Sequence, residues 1–449
     1  MEQRWKEILK ERSSTILDSL LGLALGLSAY SLTGFAIEEM RDIDLALVYF
    51  SVLFFLMIIF WWAVSTSLAF ARYDDRLFTI TLILGALLVV TPLCLRLMLS
   101  SEPEVKNLGY DLVPLVMGVV SLLGAVTHII VLRQAIAIPK HELEGMRMMT
   151  PGLLLFSAVL LLSLRIPPEA TIESHLHQVT AYLPPSLWQL PVRMGAWLAP
   201  FPLLMVIAGI VQYGARWLIS EPEEEAASLV ESKRAVTQKV QAMTNSVFAM
   251  AVGLCAYSLT DFAIGSREDL IMALLYFAFT FIVILIFWGE LFRVFAAVIY
   301  YDETLLWGTI LLTYCVTLLP FFFRLVLSSD ATVAGFGMTL FPVFMAAAAI
   351  MSSTLFIIAL RRRVIEIPKD DLLEMQRAAF GGPIMAIIFL ASLRIPTAAT
   401  LQTYLPQFAG QMPFIPVDFP LRILSWWLVL VGLFVVGGFV ELITERLAR

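Results

Sequence analysis

The chain has 449 residues, of which 60% are hydrophobic and 15% are charged, and its mean hydropathy is +0.87. Soluble domains are nearer half apolar and about a quarter charged, so this composition excludes an ordinary soluble protein. It predicts an all-α, polytopic membrane protein surrounded by membrane lipids. The net charge of −6 gives no reason to expect a nucleic-acid partner.

The first apolar helix, near residues 14–37, is repeated near residues 240–264. Ten of twelve positions are identical between Gly26–Ile37 and Gly253–Ile264, which indicates an internal duplication. Both copies carry small side chains at spacings of three and four residues, on one face of the helix. Such a face is typical either of a close helix–helix contact or of a helix beside a narrow aqueous path, and the sequence leaves both interpretations open. The small residues are Ser19, Gly22, Gly26, Ala29 and Thr33 in the first copy, and Ser246, Ala249, Gly253, Ala256 and Thr260 in the second.

Each half of the chain contains about six apolar segments, so we predict two six-helix transmembrane repeats, about twelve helices in total. The repeats occupy residues 1–220 and 239–449, and a cytoplasmic linker at residues 221–238 joins them. With both termini in the cytoplasm, about 21 of the 30 lysines and arginines lie on the cytoplasmic side, in agreement with the positive-inside rule. An even number of spans lets both halves enter from the same side, so the repeats are expected to be parallel. In a prokaryotic cell the membrane would be the plasma membrane.

The fifth apolar segment of each half is short for a membrane span. It ends in S-L-R-I-P at residues 163–167 and again at residues 392–396. A short amphipathic stretch precedes it in both halves and follows an I-P-K motif that ends at Lys140 or Lys369. These stretches are expected to form interfacial helices on one membrane face.

Motifs that carry catalysis are absent from the sequence. It contains no G-x-S-x-G, H-E-x-x-H or Walker-type loop, so we predict neither an enzyme nor a bound cofactor. Glu173, His175 and His177 could form a metal site, but they occur in one half only, and a solvated outer loop explains them better. Glu290 and Arg293 lie three residues apart on the second helix of the second half. They are expected to form a structural ion pair, with a proton relay as the weaker alternative.

The order of features in each half resembles the endosomal/lysosomal and prokaryotic potassium channels of the transmembrane protein 175 type. A first helix is followed by a second helix with a tryptophan, Trp61 or Trp288, by an acidic turn, and by a third helix with a proline, Pro92 or Pro320, which completes an L-x-P motif in the second half. That family has six helices per repeat and an R-x-x-x-F-S-D signature on the first helix. The signature-equivalent residues are Arg12 and Asp18 in the first half, and Lys239 and Asn245 in the second.

The resemblance implies that the first helices line a pore for monovalent cations, potassium first among them. The apolar constriction that it implies corresponds to Leu23 and Met250, and Gly26 and Gly253 replace the pore threonine that follows. Gly22 and Ala249 flank the constriction. A homodimer would place four first helices around one axis. A secondary transporter or permease remains open, as does a non-conducting membrane scaffold, which would be favoured by first helices that pack without a gap.

Arg12 and Asp18 are six residues apart, which is too far for a direct pair on one helix face. Each side chain is therefore expected to reach a neighbouring helix. A buried, unpaired carboxylate would be costly, so we predict a structural role for Asp18.

Overall fold

The computed structural model is built of α-helices and short connecting turns wherever it describes the chain, and Thr400 and Pro420 form an isolated antiparallel bridge. The predicted all-α class is therefore confirmed. The described residues are 18–32, 40–69, 75–100, 102–134, 140–167, 170–171, 225–258, 267–297, 303–328, 330–361, 369–404, 406–409 and 419–428, with Val192, Met194, Trp197 and Leu430.

The helices follow one another with short connections in both halves. The first half contains α1 (Asp18–Leu32), α2 (Met40–Ala69), α3 (Asp75–Met98), α4 (Pro103–Gln134) and α5 (Lys140–Ser163). The second half contains α6 (Glu225–Ser258), α7 (Arg267–Ala297), α8 (Glu303–Val326), α9 (Ala331–Arg361) and α10 (Lys369–Ser392). Two single-turn helices, α11 (Leu401–Tyr404) and α12 (Pro406–Ala409), and α13 (residues 421–428) come last.

Six of the described helices, α2 to α4 and α7 to α9, are long and apolar enough to cross a membrane. The described part of α1 and the apolar ends of α5 and α10 are shorter. A helix satisfies all of its internal backbone hydrogen bonds within one segment, which is what a chain needs in hydrocarbon. The predicted polytopic membrane protein is confirmed.

The stretches that follow the I-P-K motifs are helical, and their position at a membrane face stays a prediction. In both halves the amphipathic stretch and the fifth apolar segment make one continuous helix of 24 residues, α5 or α10. Both helices contain an internal proline, Pro151 or Pro383, and neither proline ends its helix. Neighbouring helices and local adjustments let a membrane helix absorb the lost hydrogen bond, so both helices continue through their prolines.

The same kind of hydrogen bond occurs within each half, between residues far along the chain from the duplicated first helix. The indole nitrogen of Trp197 donates a hydrogen bond to Ser163 Oγ, and that of Trp426 donates one to Ser392 Oγ, both at 2.9 Å. Both serines belong to the S-L-R-I-P motifs. The duplication therefore reaches the sixth apolar segment of each half, while the parallel orientation of the repeats stays a prediction.

The chain divides into two compact units, Met1–Val247 and Phe248–Arg449. The division falls inside α6, which runs unbroken from Glu225 in the linker to Ser258. The linker residues from Glu225 onward are thus helical and continuous with the second copy of the first helix. The repeat boundaries at 220 and 239 stay a prediction.

Candidate site at the first-helix signature

Asp18 begins α1 and is almost completely buried, with 2% of its surface exposed. Its Oδ1 accepts a hydrogen bond of 2.7 Å from the indole nitrogen of Trp61 on α2. Asp18 therefore reaches a neighbouring helix, as its six-residue separation from Arg12 led us to expect. Arg12 itself lies outside the described residues.

Lys239 supplies the positive charge that acts on the Asp18 carboxylate. It is buried on α6, and its Nζ donates a hydrogen bond of 2.7 Å to the backbone carbonyl of Ser65 on α2. A buried carboxylate is tolerated when a cation and hydrogen-bond donors surround it. Asp18, Trp61, Ser65 and Lys239 form a polar cluster, which we call the signature cluster. It joins the aspartate of the first signature to the lysine of the second.

A second polar contact holds the other end of α1. Ser31 is 6% exposed. Its hydroxyl oxygen lies 2.9 Å from the carbonyl oxygen of Pro92 on α3 and 3.0 Å from that of Leu27. Its single proton is shared between two acceptors. Helix α1 is therefore attached to α2 near its start and to α3 near its end.

The small-residue face of α1 is closely packed at Gly22. A Cβ added to Gly22 would overlap the Cβ of Ser246 and lie 3.1 Å from the carbonyl oxygen of Met243. Both neighbours belong to α6, so only glycine allows the two helices to approach this closely. Gly26 is also buried. At Gly22, therefore, the face is a helix–helix contact.

Beyond Ser246, which contacts Gly22, the equivalent face of α6 is open. Ala249, Gly253 and Ala256 are exposed, and no atom lies within 4 Å of a Cβ added to Gly253. The two proposed constriction residues, Leu23 on α1 and Met250 on α6, are each half-buried. Their role in a pore stays a prediction, as do the pore roles of the flanking glycines and Ala249. Asn245 is half-buried on the same helix as Lys239.

Sequence reasoning missed His128, a fully buried residue within the candidate span Pro103–Arg133. Its Nε2 lies 2.8 Å from the carbonyl oxygen of Ala63, and its Nδ1 lies 3.4 Å from Thr150 Oγ1. A carbonyl oxygen can only accept, so Nε2 carries a proton. The sequence signal for this site was a single histidine in an apolar helix. Its hydrogen-bond partners lie on α2 and α5, so the sequence alone could not identify them.

One family comparison gives a match. Residues 239–320 match the family described as endosomal/lysosomal potassium channel TMEM175. The matched range starts at Lys239 and includes Met250, Gly253 and Trp288. It confirms the resemblance inferred from the sequence over the first helices of the second half. No curated protein sequence matches this chain. From the signature lysine of α6 to Pro320 of α8, the chain is thus similar to the TMEM175 potassium channel family.

Proposed function

We propose that this protein is a cation channel that conducts potassium across a lipid membrane. The observation that carries the proposal is the family match over residues 239–320, which includes the second copy of the duplicated first helix. The matched part begins with Lys239, a member of the signature cluster. That cluster holds α1 against α2, as a helix that lines a pore would need to be held.

The open face of α6 supports a pore-lining role for this helix. Ala249 and Gly253 are exposed there, and space remains beside Gly253. On this proposal Leu23 and Met250 form an apolar constriction between hydrated mouths. Water is poorly held by such a ring, so ions are blocked unless the ring widens.

The channel would be a homodimer. Each chain contributes two copies of the first helix, so two chains supply the four helices that can surround one axis. The ring would then contain two Leu23 and two Met250 side chains. Symmetric dimers are the commonest soluble assemblies, and the exposed small residues of α6 let helices approach an axis closely.

A non-conducting scaffold is the second candidate, and one observation favours it. Gly22 packs directly against Ser246 and Met243, which is the close contact expected of a packing seam. A permease is the third candidate, with His128 and Glu290 as its internal ionisable groups. Neither alternative explains the family match as simply as a channel does.

The test is potassium flux into liposomes that contain the purified full-length protein. Replacing Leu23 and Met250 together by asparagine should hydrate the ring and raise the flux well above wild type, with the double alanine variant between them. Val252→Asn is the matched control, since it adds the same amide two residues from Met250 on another face of α6. The control should leave the flux unchanged.

Folding is checked by the monodispersity of each variant in detergent. A folded Leu23→Asn/Met250→Asn protein with background flux would overturn the constriction. Background flux in every variant, whatever its pore residues, would favour the scaffold.

A further inference from the structure

Helix α7 carries a carboxylate, Glu290, inside the candidate span Leu270–Phe295. The side chain is half-buried. The hydroxyl of Ser352 on α9 donates a hydrogen bond of 2.5 Å to Glu290 Oε2. A charge at this depth is costly, and ionisable groups inside membrane segments usually serve a function.

The first unit makes the equivalent helix contact without a carboxylate, and the carbonyl oxygen of Ala63 there lies 2.8 Å from His128 Nε2. Ala63 stands where Glu290 stands, and Gly124 stands where Ser352 stands. A Cβ added to Gly124 would lie 3.5 Å from both Leu153 and Val64, an ordinary apolar contact. Packing of these helices therefore does not require a carboxylate. Apolar replacements of buried ionic groups are often neutral or stabilising, so Glu290 is not explained by folding alone.

The electrostatic surroundings of Glu290 are simple among the described side chains. Arg293, exposed on the same helix, is the cation that acts on it. Helix α9 has no ionisable side chain from Ala331 to Leu360, and α10 has none from Ala379 to Ser392. The ionisable side chains of the neighbouring α8 are Glu303 at its start, Arg324 in its last turn, and Tyr314 and Cys315 between them. Among the side chains that the structure describes, the site thus contains one acid, one base and one hydroxyl donor.

The site also lies beside an open position on α7. Gly289, next to Glu290, is exposed, and no atom lies within 4 Å of a Cβ added there. The carboxylate lies about two helical turns from the end of α7 at Ala297.

We propose that Glu290 is a proton-binding site within the membrane segment of the second unit. Proton uptake from water converts the carboxylate to the neutral acid, ends its attraction to Arg293 and weakens the hydrogen bond from Ser352. Release returns the proton to water and restores both interactions. This site goes beyond ion conduction, and its test does not require flux.

The test is infrared difference spectroscopy on the full-length protein in lipid nanodiscs, with glutamate side-chain carboxyls labelled with carbon-13. Between about pH 8 and about pH 6, surface carboxyls stay ionised. We expect a labelled C=O band of protonated glutamate to grow on acidification in the wild type and to be absent in Glu290→Gln. No such band in the wild type, or an equal band in Glu290→Gln, would overturn the proposal.

Two adjacent serines give a matched control that keeps Glu290 in place. Ser352→Ala removes the donor to the carboxylate, so half-titration of the band should move upward by about one pH unit. Ser353 faces α10 instead, because a Cβ added to Gly382 would overlap its Oγ. Ser353→Ala should leave the titration unchanged. Equal behaviour of the two variants would assign the band to another glutamate, even if Glu290→Gln failed to fold.

Discussion

The two copies of the first helix have nearly the same sequence but different surroundings. In α1, Gly22 and Gly26 are buried, and Gly22 touches α6. In α6, Ala249 and Gly253 are exposed, and the space beside Gly253 is empty. A face of small residues therefore permits close packing but does not compel it. What lies opposite the face decides its role.

The largest difference in stability between equivalent substitutions in the two first-helix copies is expected at Asp18 and Asn245. Asp18→Ala leaves the Trp61 indole without its acceptor and the buried Lys239 ammonium without its opposite charge, which should cost about 3 kcal/mol or more. The equivalent change in the second copy, Asn245→Ala, should cost about 1 kcal/mol, because a neutral, half-buried group is lost. Denaturant unfolding of the purified protein in detergent measures both.

The same comparison tests whether Asp18 acts through structure. Ion preference in the folded fraction of Asp18→Ala should match that of the wild type. Normal expression and stability together with an altered preference would assign Asp18 to selectivity instead.

Glycine substitutions should separate the two faces directly. Gly22→Ala forces a methyl group into the Ser246 side chain, and overpacking of this kind costs about 1–3 kcal/mol. Gly253→Ala adds a methyl group to open space and should stabilise the helix by up to about 1 kcal/mol. Unfolding midpoints of the two variants give the comparison. Equal destabilisation would mean that the face of α6 is covered in the assembled protein.

The tryptophan–serine contacts should show where the two halves behave alike. Ser163→Ala and Ser392→Ala each remove the acceptor of a buried indole nitrogen, so each should cost about 1 kcal/mol. The two hydrogen bonds have the same length of 2.9 Å, and we expect equal losses within about 0.5 kcal/mol. Thermal unfolding followed by tryptophan fluorescence measures them. A loss confined to one variant would show that the shared contact stabilises only one half.

The smallest effect is expected at the start of α9. The backbone N–H groups of Val333 and Thr332 hold the pKa of the exposed Asp330 carboxyl below its usual value. The charged cap therefore adds stability above the unfolded pKa of about 4, and that stability is lost as the pH falls through the lower folded pKa. Asp330→Ala should lower the unfolding temperature slightly at pH 7 and not at all below the folded pKa. If the unfolding temperatures of Asp330→Ala and the wild type still differ below the folded pKa, the charge of Asp330 is not the cause of the difference.

Local patterns predicted the helices well and their polar contacts poorly. Apolar length predicted the spans, and the six-residue spacing predicted that Asp18 reaches another helix. Lys239 as its neighbouring cation was not predictable, because Lys239 and Asp18 are distant in the sequence. The buried guanidinium of Arg422 was missed for the same reason. It donates to the carbonyl oxygens of Ile395, Leu393 and Met338, and backbone acceptors leave no signature in a sequence.

By itself, the sequence determined that this protein is helical, membrane-embedded and internally duplicated. Those properties depend on local hydrogen bonding and on the apolar length that a bilayer requires. Only the tertiary structure decided that Gly22 is packed and Gly253 open, and that His128 is bound between α2 and α5. Packing joins side chains from separate helices, and identical local sequences can meet different partners, so these properties follow from the arrangement of the helices.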